Sequence, residues 1–175
     1  MGMFDLRTLR LSVGDTHLEP IELTLTPFTL GGERNEPVPA TVPASLRVTK
    51  LTSGLLFDLS FDASVFGPCQ RCLEEARVGV QGESREYQAH QPEPGAEEEM
   101  TTPYLTGDIL DTDRWGQDTL VLAMPLKVLC RDDCAGLCPT CGTDLNTGPC
   151  DCPPPEPDSR WAALGPLAER LRREG

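Results

Sequence analysis

The chain contains few basic residues and almost no histidine. Its 175 residues include 15 Lys and Arg against 28 Asp and Glu, so the formal net charge is −13, and only two residues are His. Non-specific binding to nucleic acid needs many cations that displace the counterions of phosphates. The composition therefore argues against that class of function. It leaves a basic protein partner open, as well as a small local contact with RNA.

Long apolar stretches are also missing. No run reaches the roughly 18–20 residues of a membrane span, and the first residues, MGMFDLRTLR, show no signal-peptide pattern. We therefore expect a cytoplasmic protein with no membrane partner. In a reducing compartment, cysteines at chelating spacings bind metal more often than they form disulfides.

The common catalytic motifs are absent as well. The sequence contains no GxSxG, Walker loop, HExxH or GxGxxG. Carboxylate pairs such as Glu74-Glu75 and Asp132-Asp133 carry little information in so acidic a chain, and His17 and His90 are predicted to lie on the surface. We expect no enzymatic activity.

Proline, by contrast, is abundant. The chain has 17 prolines, roughly twice the average usage of about 5%. Such a density favours many short elements and long connections over a helical bundle. With 38% hydrophobic residues, the chain still has enough apolar side chains for a core.

The residue pattern of the first half of the chain predicts an antiparallel, β-rich section with one face exposed to water. Apolar residues alternate most clearly over 55–66, where Phe57, Leu59 and Phe61 face one way. The predicted strands are 18–30, broken by Pro20 and Pro27, then 44–51, 55–66 and 76–88, with a hairpin turn at Ser53-Gly54 and a loop over 31–43.

A helix is predicted over 112–124. Asp111 fits its N-cap, and Pro125 stops it. Four residues near one face of this helix are predicted to lie in the core: Trp115, Thr119, Leu122 and Leu126.

The whole chain therefore reads as an α+β fold with one central helix, a cysteine-rich region and a C-terminal helix. We divide it into a β-rich section (1–90), an acidic, mobile connection (91–107) and a C-terminal section (108–175), which together form one compact unit. The C-terminal helix is capped by Asp158, and a stripe of four residues marks its apolar face: Trp161, Leu164, Ala168 and Leu171.

All eight cysteines fall in four closely spaced pairs. Zinc takes four thiolate or imidazole ligands at tetrahedral corners, and closely spaced pairs supply two ligands from one turn. The pairs are Cys69-x-x-Cys72, Cys130-x-x-x-Cys134, Cys138-x-x-Cys141 and Cys150-x-Cys152. Eight ligands make two structural zinc sites, and no His or carboxylate is needed to complete either one.

Which two cysteine pairs bind the same ion depends on the length of chain between them. Only GTDLNTGP separates Cys141 from Cys150, so the last two pairs can close on one ion as a zinc knuckle, with a turn at Asn146 and Gly148. Cys69 and Cys72 would then bind with Cys130 and Cys134. The alternative joins Cys69 and Cys72 to Cys138 and Cys141, and the spacing does not reject it.

Roles other than zinc binding fit the cysteines less well. A thiol–disulfide oxidoreductase needs a single CxxC pair, typically beside a βαβ pattern that this chain lacks. Structural disulfides need an oxidising compartment, and eight unligated cysteines at chelating spacings are improbable by chance.

The ordered segments CQRCL, LAMPLKVLCRDDCAGLCPTCGTDLNTGPCDC and DSRWAALGPL resemble the YceD family, the large ribosomal RNA subunit accumulation proteins. The match covers the second half of the chain, whereas residues 1–65 match only in general layout. The C-terminal helix of the family often begins Asp-Pro-Arg, where this chain has Asp158-Ser159-Arg160.

The resemblance implies a non-enzymatic factor that 23S rRNA accumulation and large-subunit assembly require, and that binds a ribosomal protein or a pre-50S particle. It also supports the pairing of Cys69 and Cys72 with Cys130 and Cys134, because some relatives keep the CxRC pair and lack the knuckle. The oligomeric state stays open.

Arg71, inside CQRCL, is the candidate functional residue beside the cysteines. Its structural alternative is to hold the cysteine loop through hydrogen bonds to backbone carbonyls. Direct binding or protection of rRNA is the alternative function, with Arg71, Lys127, Arg131 and Arg160 as its cations.

Overall fold

The structure is a computed structural model that describes residues 2–92, 94–95, 100–153, 160, 164 and 170. The chain forms two compact units, residues 1–136 and residues 137–175. We call them the first and second units. The boundary lies within the cysteine-rich region, between Cys134 and Cys138.

The described residues of the first unit form two antiparallel sheets and one α-helix. The elements are β1 (Met3–Asp5), β2 (Thr16–Thr24), β3 (Phe28–Leu30), β4 (Glu33–Pro37), β5 (Thr41–Lys50), β6 (Gly54–Pro68), β7 (Glu75–Ala89), β8 (Leu105–Thr106), β9 (Ile109–Asp111) and α1 (Thr112–Ala123), with a short 3-10 turn at Leu6–Thr8. The small sheet has the strand order β1-β9-β8.

The 15-residue strand β6 organises the six-stranded sheet. It pairs with β7 along its whole length on one side. On the other side its first half pairs with β5, which pairs with β2, and its second half pairs with β4, which pairs with β3. The predicted hairpin of 44–51 and 55–66 is confirmed as β5 and β6.

The predicted alternation along β6 is also confirmed. Phe57, Leu59 and Phe61 are buried, whereas Ser60 and Asp62 are exposed. The buried face continues on β5 and β2, which contribute Leu46, Val48 and Leu23. Burying such a side chain stabilises the fold by about 1.5–3 kcal/mol before the loss of chain entropy is counted.

The predicted loop over 31–43 is wrong in part. It contains β4 and the beginning of β5. Two residues of β4, Asn35 and Pro37, are buried. Neither residue type favours a strand, so the sequence gives no signal for β4. The predicted strand 18–30 divides into β2 and β3 around Pro27, as expected, but the break predicted at Pro20 is wrong, because Pro20 lies inside β2 opposite Ser45.

Helix α1 packs against the sheet through Trp115, which is buried and whose Nε1–H donates to Ser84 Oγ at 3.0 Å. The Asp111 side chain caps the helix by accepting from the Arg114 N–H at 3.0 Å. A Cβ at Gly116 would lie 2.7 Å from Leu23 Cδ1, so this glycine allows the helix to approach β2 closely. Both ends of the helix lie within one residue of the predicted bounds, 112–124.

The predicted core face of this helix is only half correct. Trp115 and Thr119 are buried, but Leu122 is 86% and Leu126 100% exposed. The helix ends at Ala123, so Leu126 lies beyond it in a bend, where helical spacing no longer applies.

In the second unit, Leu137 and Asp144 form an isolated antiparallel bridge. The turn predicted at Asn146 is present, since the Asn146 N–H donates to Asp144 Oδ1 at 2.9 Å. The predicted C-terminal helix, with its Asp158 cap and apolar stripe, falls almost entirely outside the described residues. No helix among the described residues is long and apolar enough to cross a lipid bilayer.

Candidate metal centres

The first CxxC pair lies in the connection between β6 and β7. We call residues 69–74, CQRCLE, the first loop. The Leu73 N–H donates to the Cys69 carbonyl at 2.9 Å, and the Cys69 N–H donates to the Glu74 carbonyl at 2.8 Å. These bonds fold the loop into a tight knuckle, which requires Leu73 to adopt a φ of 65°.

A second segment joins this loop from beyond α1. The Gln70 N–H donates to the Val128 carbonyl at 2.9 Å, which fixes the chain just before Cys130 against the first loop. Val128 is buried, so its side chain anchors the same segment in the core. The result is a group of four sulfurs, cluster 1: Cys69, Cys72, Cys130 and Cys134.

The spacing of these sulfurs fits a tetrahedral metal. All four lie within 4.8 Å of one another, with Cys69 Sγ 3.8 Å from Cys134 Sγ and Cys72 Sγ 3.6 Å from Cys130 Sγ. Thiolates about 2.3 Å from a tetrahedral zinc ion lie about 3.8 Å apart, whereas a disulfide joins sulfurs at about 2.05 Å. None of the eight cysteines, all of which the structure describes, forms a disulfide.

Arg71 holds cluster 1 together from outside. Its Nη1 donates to the Cys134 carbonyl at 2.7 Å and to the Asp132 carbonyl at 3.4 Å. Gly136 then passes so close that a Cβ there would lie 3.0 Å from the Arg71 carbonyl oxygen. Arg71 therefore has the structural role that the sequence offered as an alternative, since it joins the two segments that supply the sulfurs.

The second unit holds cluster 2: Cys138, Cys141, Cys150 and Cys152, whose sulfurs also lie within 4.8 Å of one another. We call residues 138–143, CPTCGT, the second loop. Its backbone repeats the first loop: the Gly142 N–H donates to the Cys138 carbonyl at 2.9 Å, and the Cys138 N–H donates to the Thr143 carbonyl at 2.8 Å. Gly142 has a φ of 73°, where the first loop has Leu73.

In each loop, backbone N–H groups favour ionisation of the first thiol and lower its pKa. Burial raises the pKa of Cys69, but N–H groups led by that of Cys72 donate to its sulfur and bring the pKa to about 6. The N–H groups of Cys141 and Thr140 likewise lower the pKa of Cys138 to about 6.

Other thiols of the two clusters resist ionisation. The Glu74 N–H favours the Cys72 thiolate, but burial and the neighbouring thiols outweigh it and raise the pKa of Cys72 to about 12. The neighbouring Cys141 thiol is the largest cause that raises the pKa of Cys152 to about 12. A divalent cation offsets this mutual repulsion, so four sulfur donors at these distances suit zinc.

Among the described residues, neither group includes a histidine or a carboxylate. Four sulfurs complete a tetrahedral shell and leave no position for substrate, which is typical of a structural zinc site. His90 is exposed, and His17 Nε2 lies 2.8 Å from Glu19 Oε2, away from both clusters.

The structure thus groups the cysteines as the chain separations favoured, with the first pair beside Cys130 and Cys134. Of the predicted cations, Lys127 is exposed, and Arg131 lies 3.2 Å from Asp133. Sequence reasoning missed Leu73 and Gln70. The signal for Leu73 was available, because CQRCL and CPTCG align with a glycine at its position.

A search of protein families matches residues 57–168 to the family described as Large ribosomal RNA subunit accumulation protein YceD. Uncharacterised proteins of Mycobacterium bovis and Mycobacterium tuberculosis are each 33% identical over 142 residues, which cover 77% of this chain and 68% of theirs. The chloroplastic YCED homolog 1 of Arabidopsis thaliana, named a large ribosomal RNA subunit accumulation protein, is 31% identical over 65 residues, which cover 37% of this chain and 20% of that protein. No solved structure matches the chain.

Proposed function

Because this chain belongs to the YceD family, whose description is large ribosomal RNA subunit accumulation, we propose that it acts in the biogenesis of the large ribosomal subunit. The family match over residues 57–168 carries the proposal. It includes the whole of cluster 1 and cluster 2. The matched region therefore contains all eight cysteines, which could hold two metal ions.

In this proposal the protein promotes 23S rRNA accumulation and large-subunit assembly without catalysing a reaction. Zinc has a structural role in it. Four sulfurs per ion leave no open coordination position, and each ion would fix a loop that is otherwise held by a few backbone hydrogen bonds. Cytoplasmic location belongs to the same proposal.

The partner we propose is a basic ribosomal protein, free or on a pre-50S particle. A net charge of −13 attracts cationic proteins over distances of about one Debye length, and this attraction weakens as salt screens it. The predicted rRNA contact has less support, because the same net charge of −13 repels phosphate groups.

The first experiment removes the protein from its own cell and measures the ratio of large-subunit to small-subunit rRNA. The proposal expects that ratio to fall, with recovery when the intact chain is supplied and none with Cys69→Ser. An unchanged ratio in the depleted cells would refute a role in large-subunit biogenesis.

The second experiment identifies the partner. Particles that carry the protein are sedimented before and after RNase treatment, and the purified chain is titrated with basic ribosomal proteins at low and high salt. Binding that survives RNase and weakens with salt supports the proposal. Loss of association with RNase, together with no binding to ribosomal proteins, would instead favour direct rRNA binding.

Metal analysis addresses the remaining alternative, a thiol oxidoreductase. The proposal expects about two zinc ions per purified chain and a thiol titration that rises only after chelation. A chain without zinc that cycles between a dithiol and a disulfide would contradict the structural role of the clusters.

A further inference from the structure

The strand β7 presents a long open edge. It pairs with β6 over all 15 of its residues, and among the described residues no other strand pairs with it. The outward N–H and C=O groups of such a strand form a ready template for another strand. Gly79 lies in open space, since a Cβ there would meet no heavy atom within 4 Å.

On the opposite side of the same sheet, the edge formed by β2 is protected. On β2, Pro20 has no N–H to offer, and the Thr24 N–H donates to Asp113 Oδ1 of helix α1 at 2.8 Å. Proline and a covering side chain are two of the means that block an edge, and charged side chains are another. Strand β7 contains no proline, so it lacks the first of these protections.

The charges of β7 are self-complementary in one register. Glu75, Arg77, Glu83 and Arg85 all lie on the exposed face of the strand. If two copies of β7 pair antiparallel about a two-fold axis at Val80, Arg77 lies opposite Glu83 and Glu75 lies opposite Arg85. Each of these contacts occurs twice, so all eight charges on the exposed faces of the two strands meet an opposite charge.

Neighbouring registers lose this match. A slip of one residue turns the buried face of the strand outward. A slip of two residues brings Glu75 opposite Glu83 in one direction and Arg77 opposite Arg85 in the other. Like charges directly opposite each other are destabilising. The pattern therefore selects one alignment.

The inner face of β7 also suits self-pairing. Its residues near the axis are small, and in this register Val80 meets its own copy and Val78 meets Gly82. Val78 is only half-buried in the single chain, so a second strand would cover it. Burial of apolar surface is the main favourable contribution in most protein association.

We propose that two copies of this chain associate by antiparallel pairing of their β7 strands, with Val80 on the two-fold axis. A cationic tail is the less suitable occupant of this edge, because it would set positive charges against Arg77 and Arg85. The proposal does not depend on the function proposed above.

Existing contacts leave both arginines available to the second copy. Arg85 donates through Nε to Asp58 at 2.6 Å, which leaves its Nη groups for a carboxylate of the other strand. Arg77 lies over the Phe66 ring at 5.5 Å and donates through Nη2 to Ser64. Each guanidinium has five N–H donors, so one contact within the chain does not exhaust it.

The test measures the mass of the full chain by sedimentation equilibrium over a range of concentrations. We expect a dimer of twice 19.1 kDa that dissociates on dilution. Arg77→Glu and Glu83→Arg should each weaken the dimer roughly tenfold or more, because each creates two like-charge contacts. The double variant Arg77→Glu/Glu83→Arg should recover most of the association.

Arg10→Glu is the matched control, since it makes the same charge change at an exposed position outside the sheet. Zinc content and circular dichroism verify that every variant is folded. A wild-type chain that stays monomeric overturns the proposal, as does a dimer that Arg77→Glu and Glu83→Arg leave unchanged. Binding of a lysine-rich peptide to a monomeric chain at β7 would assign the edge to a different partner.

Discussion

The first loop and the second loop adopt the same backbone but close very different lengths of chain. Both direct two N–H groups at the first sulfur and place the residue after the second cysteine at positive φ. Cluster 1 joins residues 58 positions apart, such as Cys72 and Cys130, whereas cluster 2 joins Cys141 to Cys150 nine positions later. The same local backbone therefore closes a long chain segment in the first unit and a short chain segment in the second.

This difference sets the expected energetics. If each metal acts as a cross-link, the chain entropy removed from the unfolded state is about 4 kcal/mol for the long closure and about 2.5 kcal/mol for the short one. Cluster 1 also includes the connection of the β6–β7 hairpin, so its loss reaches the sheet directly. The most direct test of this difference is to substitute the cysteine ligands of each cluster.

The largest effect is expected from removing one sulfur of each cluster. Cys69→Ser or Cys134→Ser should release one zinc ion and lower the unfolding free energy of the first unit by about 4 kcal/mol. Cys141→Ser should also release one ion but loosen mainly residues 138–152. Zinc analysis and hydrogen exchange of β6 and β7 measure both. Equal loss of protection in the two variants would contradict the division of roles.

A smaller effect is expected at the third position of the loops. Arg71→Ala removes the hydrogen bond to the Cys134 carbonyl and should destabilise the first unit by about 1 kcal/mol, because the guanidinium is partly exposed. Thr140→Ala is the matched change in the second loop and should be nearly neutral. Denaturant titration measures both, and a neutral Arg71→Ala would remove the structural role given to that side chain.

The smallest effect concerns the residue at positive φ. Leu73 at 65° is strained by its Cβ, so Leu73→Gly should be about 1 kcal/mol more stable than Leu73→Ala, which keeps the strain. The reverse change, Gly142→Ala, should destabilise the second loop by a similar amount. Thermal unfolding and zinc affinity provide the readout. Equal stability of the two Leu73 variants would show that the loop relaxes elsewhere.

The clusters and the central hairpin were predictable because their signals are local. Alternation over 55–66 identified β6, and Asp111 and Pro125 bounded helix α1. The cysteine spacings restricted the pairing to two options, and chain separation favoured the grouping that the sulfurs adopt. In each case a few neighbouring residues carried the whole signal.

The remaining features depend on partners distant in sequence. Strand β4 is defined by pairing with the far end of β6, at Val65 and Phe66, and its buried Asn35 gives no apolar signal. Strands β1 and β9 have three residues each, too few for periodicity to be visible. Leu126 was misplaced because a helical spacing was extended past the helix end.

The position of the first loop also has a consequence for the order of folding. Strands β6 and β7 are adjacent in sequence, and hairpins of this kind form in about 1–10 μs. Two sulfurs of cluster 1 are therefore presented early, at the tip of the hairpin. Cys130 and Cys134 follow α1 in the chain, so a metal ion bound by all four sulfurs would require α1 and the segment after it to be in place. Metal binding at cluster 1 would therefore stabilise the completed first unit against unfolding.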